Sequence, residues 1–449
     1  MRRLVISRDV LVIAAAIVGS SVVMLGESVV TLALPSIART LQVPFASLQW
    51  VVDGYNLTLS SFILFGGSLG DLLGLRRVYL WSACAFLLLS LVCALAWNGL
   101  TLIVFRALLG VAGALLTPVS LAVLNAQLPK DMRSRAVGYW TAATSIVLAL
   151  GPLVGGYLVD LFTWRAIFLF NVPLALIAIG IGYAALEKTP IGRDISIDWF
   201  GAILAFLFLA GLTYGLIEGP ANGWPLATIG ALVAGAACFV AFVWWERRAR
   251  HPLIDLSLFR NRNFSATNSA TLLLYAAFGG FGFLFSYFLQ TAAGYSATAA
   301  GAAFLPLSVM LAFLSGTVGE YSSRIGPRWF MTLGALLCSA GMLSLLSLGP
   351  HTTYLSGVLP GVLLFGAGLV LTVAPLTATA LNSAPDEKSG IASAINNGVA
   401  TAGPLIVIAL LGLGGLEHAY VFGVWLCVVL AALAGLVSFA FVRKAKASS

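Results

Sequence analysis

Charged residues are scarce in this chain of 449 residues. Asp, Glu, Lys and Arg together make up 9% of the sequence, whereas 60% of it is hydrophobic and the mean hydropathy is +1.01. About a quarter of the residues of a soluble domain are charged. This deficit excludes a soluble globular protein and predicts an all-α polytopic membrane protein.

Residues for metal, redox or hydrolytic chemistry are also few. The five cysteines lie singly inside apolar runs, and the three histidines are scattered at segment ends. We therefore expect inert thiols and no metal site. The sequence lacks a Walker P-loop, a Ser/His/Asp elbow and a haem motif, so we expect no enzyme, no cofactor and no direct use of ATP. These cysteines and histidines are Cys84, Cys93, Cys238, Cys338, Cys427, His251, His351 and His418.

Long apolar stretches dominate what is present. A membrane-spanning helix needs about 20 mostly apolar residues, and fourteen stretches meet that need. The first could pass for a signal peptide, but it continues to Ile37 without an A-x-A site, so we predict a retained helix. The stretches are 10–36, 48–70, 78–97, 99–125, 135–159, 166–186, 197–217, 225–245, 264–290, 297–322, 328–348, 355–380, 389–414 and 418–442.

Basic residues alternate along the chain in a way that fits these fourteen helices. If the N-terminus is cytoplasmic, all but three of the 24 Lys and Arg residues fall in cytoplasmic segments. The exceptions are Arg39, Arg106 and Arg165. Because cytoplasmic loops are enriched in positive charge, the +8 net charge is a topology signal rather than a nucleic-acid signal. We predict a multi-pass protein of the plasma (inner) membrane with both termini cytoplasmic.

Two landmarks recur at one offset and indicate a duplicated chain. The segment Gly67–Arg77 resembles Gly319–Arg328, and the pair Gly151–Pro152 recurs as Gly403–Pro404. Duplication predicts two pseudo-symmetric six-helix bundles with two inserted helices between them, and parallel halves around a cavity are a transporter plan. The predicted domains are 1–190 (first bundle), 191–250 (inserted helices) and 251–449 (second bundle).

Three charged residues lie deep in predicted helices of the first bundle. Counting at about 1.5 Å per residue puts Glu27, Asp53 and Arg106 at similar depth in the outer half of the membrane. Charges inside a bilayer are costly and mark functional sites by default. Two interpretations stay open: the acids exchange protons with Arg106 tuning them, or the group is a buried ion pair that fixes helix packing.

Polar residues of the second bundle are candidates for a substrate cavity. They are Tyr275, Gln290, Asn396 and Asn397, and the stretch 264–290 is rich in phenylalanine. An apolar cavity with few polar groups would suit a lipophilic ligand. The alternative is that the phenylalanines face lipid or form the core.

Several motifs resemble those of the major facilitator superfamily, and more narrowly its fourteen-helix drug/proton antiporter branch. Gly67–Arg77 is similar to the signature loop, which implies a gate formed by Gly67, Asp71, Gly74, Arg76 and Arg77. Arg106–Ala114 (RALLGVAGA) is similar to the motif whose arginine is tied to proton coupling. The run GPLVGG is similar to the antiporter motif, with Gly151, Pro152, Gly155 and Gly156 as its residues; the bottom-up alternatives are a working bend or simple small-residue packing. Trp164–Pro173 (WRAIFLFNVP), Leu32–Ile37 and Trp50–Tyr55 also fit the branch.

Three positions depart from the pattern of that branch. Glu27 stands where the branch usually has Asp, Val147 where the antiporter motif usually begins with Gly, and Ser323 where the first loop has Asp71. The second bundle also lacks deep acids of the kind that exporters of dicationic drugs carry. The resemblance therefore favours neutral or singly charged lipophilic substrates.

From the residues and the resemblance we predict a proton-coupled antiporter that exports small lipophilic compounds by alternating access, with a role in multidrug efflux and antibiotic resistance. Its expected partners are protons, the substrate and the lipid bilayer, and we expect a monomer. One alternative is export of a lipid or lipid-like metabolite. Ion-coupled nutrient uptake is another, which the Gly151–Pro152 motif disfavours. A membrane-embedded sensor or enzyme would need a soluble domain or a catalytic cluster.

Overall fold

The computed structural model describes residues 7–188, 198–250, 252–349, 352–385 and 388–443, without the side chains of Ser347, Ser389 and 415–418. Within these ranges the chain forms helices and connecting turns and no β-strand. Part of the cytoplasmic charge predicted above lies outside the described residues, as do two of the histidines and the His418 side chain. The residues concerned are Arg2, Arg3, Arg193, Lys444, Lys446, His251 and His351.

The described part contains sixteen α-helices. Thirteen helical segments are long and apolar enough to cross a membrane, and α13, with 18 residues, lies where the stretch 328–348 is predicted. The helices are α1 (Arg8–Ser28), α2 (Val30–Leu41), α3 (Phe45–Leu73), α4 (Leu75–Ala94), α5 (Gly99–Gln127), α6 (Lys130–Leu161), α7 (Arg165–Ala185), α8 (Trp199–Ala221), α9 (Leu226–Glu246), α10 (Arg262–Thr291), α11 (Ala297–Ala302), α12 (Leu305–Ile325), α13 (Pro327–Ser344), α14 (Leu359–Asn382), α15 (Ser389–Leu410) and α16 (Gly415–Phe441).

Two of the predicted stretches are each split into a pair of helices. The stretch 10–36 breaks at Val29, where α1 ends and α2 begins, and the stretch 297–322 breaks at Ala303 and Phe304. A proline lies shortly after the second break, and another lies within the helix that follows the first. Pro35 lies inside α2 and supplies no N–H to the preceding turn, while Pro306 occupies the first turn of α12, where no N–H is needed.

Helices α1 to α7 pack on one another and form the first helix group. Helices α10 and α12 to α16 also pack on one another and form the second group together with α11, the short helix between α10 and α12 that packs mainly against α6. Small residues let the closest helices approach. Between α3 and α5, a Cβ at Gly66 would collide with the Ala114 carbonyl, and a Cβ at Gly110 would collide with the Tyr55 carbonyl. Close approach at small residues is the usual basis of helix association in lipid.

The two inserted helices α8 and α9 lie outside these groups. They pack on each other, and α8 also lies against α3 and α15. Along α3 its contacts run from Trp50, whose Nε1 donates to Glu218 at 2.8 Å, to Phe65, whose ring lies 4.5 Å from that of Trp199. Helices α3 and α15 pack against each other along a line that we call the α3–α15 seam. Helix α8 therefore covers this seam.

Hydrogen bonds join the two groups of helices in the half of the molecule that is predicted to face outward. Gln290 Nε2 donates to the Leu32 carbonyl at 3.1 Å, and Ser308 Oγ donates to the Ala149 carbonyl at 3.1 Å. Glycines border open space toward both ends of the helices. A Cβ added at Gly67 or Gly138, toward the predicted inner side, or at Gly282 or Gly294, toward the outer side, would meet no atom within 4 Å.

Candidate functional site

Arg106 is fully buried and connects three helices. Its Nη1 donates to the Gly26 carbonyl of α1 at 2.8 Å, and its Nε donates to the Val51 carbonyl of α3 at 3.0 Å. Its guanidinium also lies 4.2 Å from the centroid of the Tyr55 ring, a cation–π distance. Carbonyl dipoles and a ring face thus stabilise a positive charge that would otherwise be costly in the membrane.

Glu27 lies next to this cation. It follows Gly26 in the last turn of α1, two residues before the break at Val29, and its side chain is partly exposed. Arg106 is near enough for an electrostatic interaction with the Glu27 carboxylate. Among the described residues, however, Glu27 forms no ion pair within 4.0 Å. The carboxylate therefore lies in a positive field without being neutralised by a direct bond.

Asp53 occupies the opposite face of α3. Val51 and Tyr55, which face Arg106, lie two residues before and after it, and two residues rotate a helix by about 200°. Asp53 is fully buried, and neither carboxylate oxygen has a hydrogen-bond partner among the described residues. The structure thus brings Glu27 and Arg106 together and places Asp53 apart from them, although all three were expected at one level.

The neighbours of Asp53 along α3 identify the helices that it faces. One turn before it, Gln49 donates to the carbonyls of Ile408 and Ala409 in α15. One turn after it, Leu57 forms a buried cluster with Leu209 of α8 and Leu405 of α15. Asp53 therefore lies on the stripe of α3 that faces the α3–α15 seam.

In the signature loop a glycine forms the turn, and two arginines contact neighbouring helices. Gly74 adopts φ 92°, a conformation that favours glycine, and separates α3 from α4. Arg76 Nη2 donates to the Tyr183 carbonyl of α7 at 2.8 Å, and Arg77 lies over the Trp81 ring. Asp71 and Gly67 are on the last turns of α3, and Asp71 is exposed. Both arginines thus interact within the first group of helices.

The glycines of the antiporter motif face two different neighbours. Gly151 and Gly155 pack against Ser28 and Val29, at the break between α1 and α2. Gly156 packs against the Ala297 carbonyl of α11, which leaves no room for a Cβ. Pro152 lies inside α6, which continues without interruption from Lys130 to Leu161. These residues allow α6 to approach both the first group of helices and α11.

The four residues predicted for the substrate cavity do not form one site. Gln290 lies near the outer end of α10, and Tyr275 is about 22 Å away along the same helix. Asn396 is buried, where its Nδ2 donates to Asn268 Oδ1 at 3.2 Å and to Thr271 Oγ1 at 3.0 Å. Asn397 is exposed. Asn396 thus joins α15 to α10, while the other three lie apart.

Sequence reasoning missed two residues that connect the helix groups. Asp160, at the end of α6, accepts hydrogen bonds from the backbone N–H groups of Ala297 (3.1 Å) and Thr298 (2.7 Å). Gln49, at the start of α3, donates to α15 as described above. Both lie at the margins of apolar stretches, where a polar residue looks like an ordinary helix end, so the sequence gives no signal for them.

Residues 16–408 match the family described as the Major Facilitator Superfamily. The chain is 35% identical over 396 residues to the Multidrug resistance protein Stp of Mycobacterium tuberculosis (strain CDC 1551 / Oshkosh), covering 88% of this chain and 73% of that protein. It is 34% identical over 395 residues to the Methylenomycin A resistance protein of Bacillus subtilis (strain 168), covering 86% and 84%. It is 32% identical over 408 residues to the Tetracenomycin C resistance and export protein of Streptomyces glaucescens, covering 89% and 74%.

Solved structures share the fold at low identity. A crystal structure of the peptide transporter POT in complex with sulfate superposes with a TM-score of 0.74 at 14% identity, covering 96% of this chain and 94% of that one. A crystal structure of a D-xylose-proton symporter superposes with a TM-score of 0.69 at 16% identity, covering 98% and 99%. The sequence match, the relatives and the all-helical architecture agree: this chain is a membrane transporter that belongs to the Major Facilitator Superfamily.

Proposed function

We propose that this transporter exports small lipophilic compounds, neutral or singly charged, in exchange for protons. The observation that carries the proposal is a pair of membrane-embedded carboxylates, Glu27 and Asp53, neither of which has an ion-pair partner among the described residues. The names of the relatives, which concern drug resistance and export, support the substrate class.

Asp53 couples proton binding to closure of the α3–α15 seam. An ionised carboxylate buried without a hydrogen-bond donor costs several kcal/mol, and protonation removes that penalty. A proton on Asp53 therefore favours the closed seam seen here. Opening the seam from the outer side would hydrate the carboxylate and let the proton exchange with the outer medium.

Glu27 and Arg106 supply the second part of the exchange. Glu27 is partly exposed and lies beside the α1–α2 break, so it can meet both water and a substrate. Arg106 stays bonded to carbonyls of α1 and α3 and favours the ionised form of Glu27. Substrate binding next to Glu27 would displace its proton, which gives antiport.

The arrangement of the helices supports an inward-open conformation. The hydrogen bonds from Gln290 to Leu32, from Ala297 to Asp160 and from Gln49 to Ile408 all lie in the predicted outer half of the helices. In that conformation the signature loop, with Arg76 bound to α7, is released from the second group. We assign the chain to the fourteen-helix drug/proton antiporter branch, in the plasma (inner) membrane as a monomer with both termini cytoplasmic.

Ethidium transport in inside-out vesicles with an imposed proton gradient tests this function. We expect gradient-dependent dye accumulation by the wild type and its loss in Glu27→Gln. The matched control is Glu320→Gln, because Glu320 is an exposed acid at the end of α12, paired with Arg324. Dye transport by Glu27→Gln at the wild-type rate would contradict the proposal.

A further inference from the structure

A cavity of about 610 Å³ opens between the two helix groups at the predicted outer face. We will call it the outer cavity; its walls are residues 35, 36, 38 and 39 of α2, 159 and 160 of α6, the end of α10 and residues 295–297. Its volume is in the range of pockets that hold drug-sized ligands. It lies apart from Glu27, Asp53 and Arg106, none of which lines it.

We propose that the outer cavity is a second ligand site, that it binds a flat aromatic carboxylate, and that its occupant holds the outer side closed. The effect on transport rests on the proposed function, because it requires the helix groups to separate at this end. The binding itself does not.

The walls of the outer cavity are the contacts that close the outer side. Gln290 donates to the Leu32 carbonyl, and Asp160 accepts from the N–H groups of Ala297 and Thr298. Each of these bonds links an element of the first helix group to one of the second. The cavity therefore exists only while both walls are in place, and a ligand that touches both walls favours the closed state.

Arg39 determines the charge of the ligand. It lines the outer cavity, is exposed, and has no hydrogen-bond or ion-pair partner in the described parts of the chain. The other arginine at this face, Arg165, is already engaged, since its Nη2 donates to the Ala96 carbonyl at 2.9 Å. Asp160, the acidic residue of the wall, accepts hydrogen bonds from two backbone N–H groups, whose dipoles offset part of its negative charge. The free cation thus favours an anion, and a guanidinium binds a planar carboxylate through two parallel bonds.

Aromatic rings determine the shape of the ligand. Tyr287 and Tyr295 both line the outer cavity. Tyr295 is fixed, because its hydroxyl donates to the Thr352 carbonyl at 3.0 Å. Tyr287 is held against Phe45 with ring centroids 5.9 Å apart. Two oriented rings beside one cation suit a ligand with an aromatic body and one carboxylate.

The first test measures the charge preference of the outer cavity. In a background lacking the five native cysteines, Ser36→Cys places a thiol in its wall with little change in volume. An anionic methanethiosulfonate added from outside should react roughly fivefold faster than a cationic one of equal size, as expected for one nearby unit charge. Arg39→Gln should abolish this preference and Arg39→Lys should retain it. Leu226→Cys, exposed at the predicted outer end of α9, is the control thiol whose preference Arg39→Gln leaves unchanged.

The second test uses 2-naphthoate as the ligand and 2-naphthamide as its uncharged counterpart. Naphthoate should slow modification of Ser36→Cys, and on intact cells it should inhibit dye efflux by the wild type but not by Arg39→Gln. Equal protection by acid and amide, protection unaltered by Arg39→Gln, or no protection at millimolar concentration would each overturn the proposed site. Protection without any dye efflux in the wild type would retain the site and instead count against the proposed export function.

Discussion

Asp53 and Glu27 differ in their access to water, and the proposed mechanism gives them different roles for that reason. Asp53 is sealed in the α3–α15 seam with both oxygens unpartnered, whereas Glu27 is partly exposed beside Arg106. In the proposed mechanism, the sealed carboxylate couples protonation to closure of the seam, and the accessible one couples protonation to substrate binding. Residues of one type at one depth can thus act on two different steps.

Asp53→Asn separates stability from transport. The amide has the shape of the protonated acid and carries no charge, so we expect an unchanged or higher melting temperature in detergent. Because the amide cannot exchange a proton, gradient-driven export should be lost. A variant that exports dye normally, or one that fails to fold while Glu27→Gln folds, would contradict the role given to Asp53.

Arg106→Ala should destabilise the first helix group. It removes two hydrogen bonds that a charged donor makes to the Gly26 and Val51 carbonyls, and a hydrogen bond of this kind contributes about 1.5–3 kcal/mol. A lower melting temperature is the expected result. Arg39→Ala is the control, since Arg39 has no partner among the described residues and should melt like the wild type. Equal melting of the two variants would show that the carbonyl bonds of Arg106 contribute little.

The sequence allowed the depth of the charged residues to be predicted but not the directions in which they point. Depth follows from helix rise, which is local. Close contacts, such as that of Gly110 with Tyr55, determine which face of α3 packs against α5 and which face packs against α15. The sequence around Asp53 does not indicate that α3 packs against α5 and α15. The separation of Asp53 from Arg106 was therefore not predicted.

At the scale of elements, α8 packs along the length of α3 and is thereby attached to the first helix group. Its aromatic contacts with α3 extend from Trp50 to Phe65, but its buried contact with α15 is at Leu405, in the outer half. We infer that α8 moves with α3 while α15 slides past both. The positions of the helices were predictable because apolar length is a local property; this attachment was not, because it depends on packing.

Two cross-links test that motion. In the cysteine-free background, cross-linking Phe65→Cys to Trp199→Cys should leave dye export intact, because both residues move together. Cross-linking Leu209→Cys to Leu405→Cys should arrest export, and a reductant should restore it. Arrest by the first pair would show that α8 and α3 separate during transport.

The connection before α10 carries an ion pair on the predicted cytoplasmic side. Lys388 Nζ lies 2.6 Å from Asp255, and its hydrogen bond, together with that of Ser257, lowers the pKa of Asp255 to about 2. Because the pKa of Asp255 is lower in the folded protein, the pair stabilises it above about pH 4, and that contribution is lost as the pH falls toward 2.

Lys388→Met should therefore lower the melting temperature slightly at pH 6 to 8, consistent with at most about 1 kcal/mol for a partly exposed pair. The difference from the wild type should shrink below pH 4. A difference that stays constant from pH 7 to pH 3 would mean that the lysine acts through packing rather than through Asp255.

For the whole molecule, the central claim is an exchange of protons for substrate between two helix groups that separate alternately at each side. The direct measurement is proton flux in proteoliposomes that hold a pH-sensitive dye and no initial gradient, after addition of ethidium to one side. We predict that ethidium influx drives protons out in the wild type and in Glu320→Gln, and in neither Glu27→Gln nor Asp53→Asn. Ethidium movement in the wild type without any proton counterflow would contradict the account.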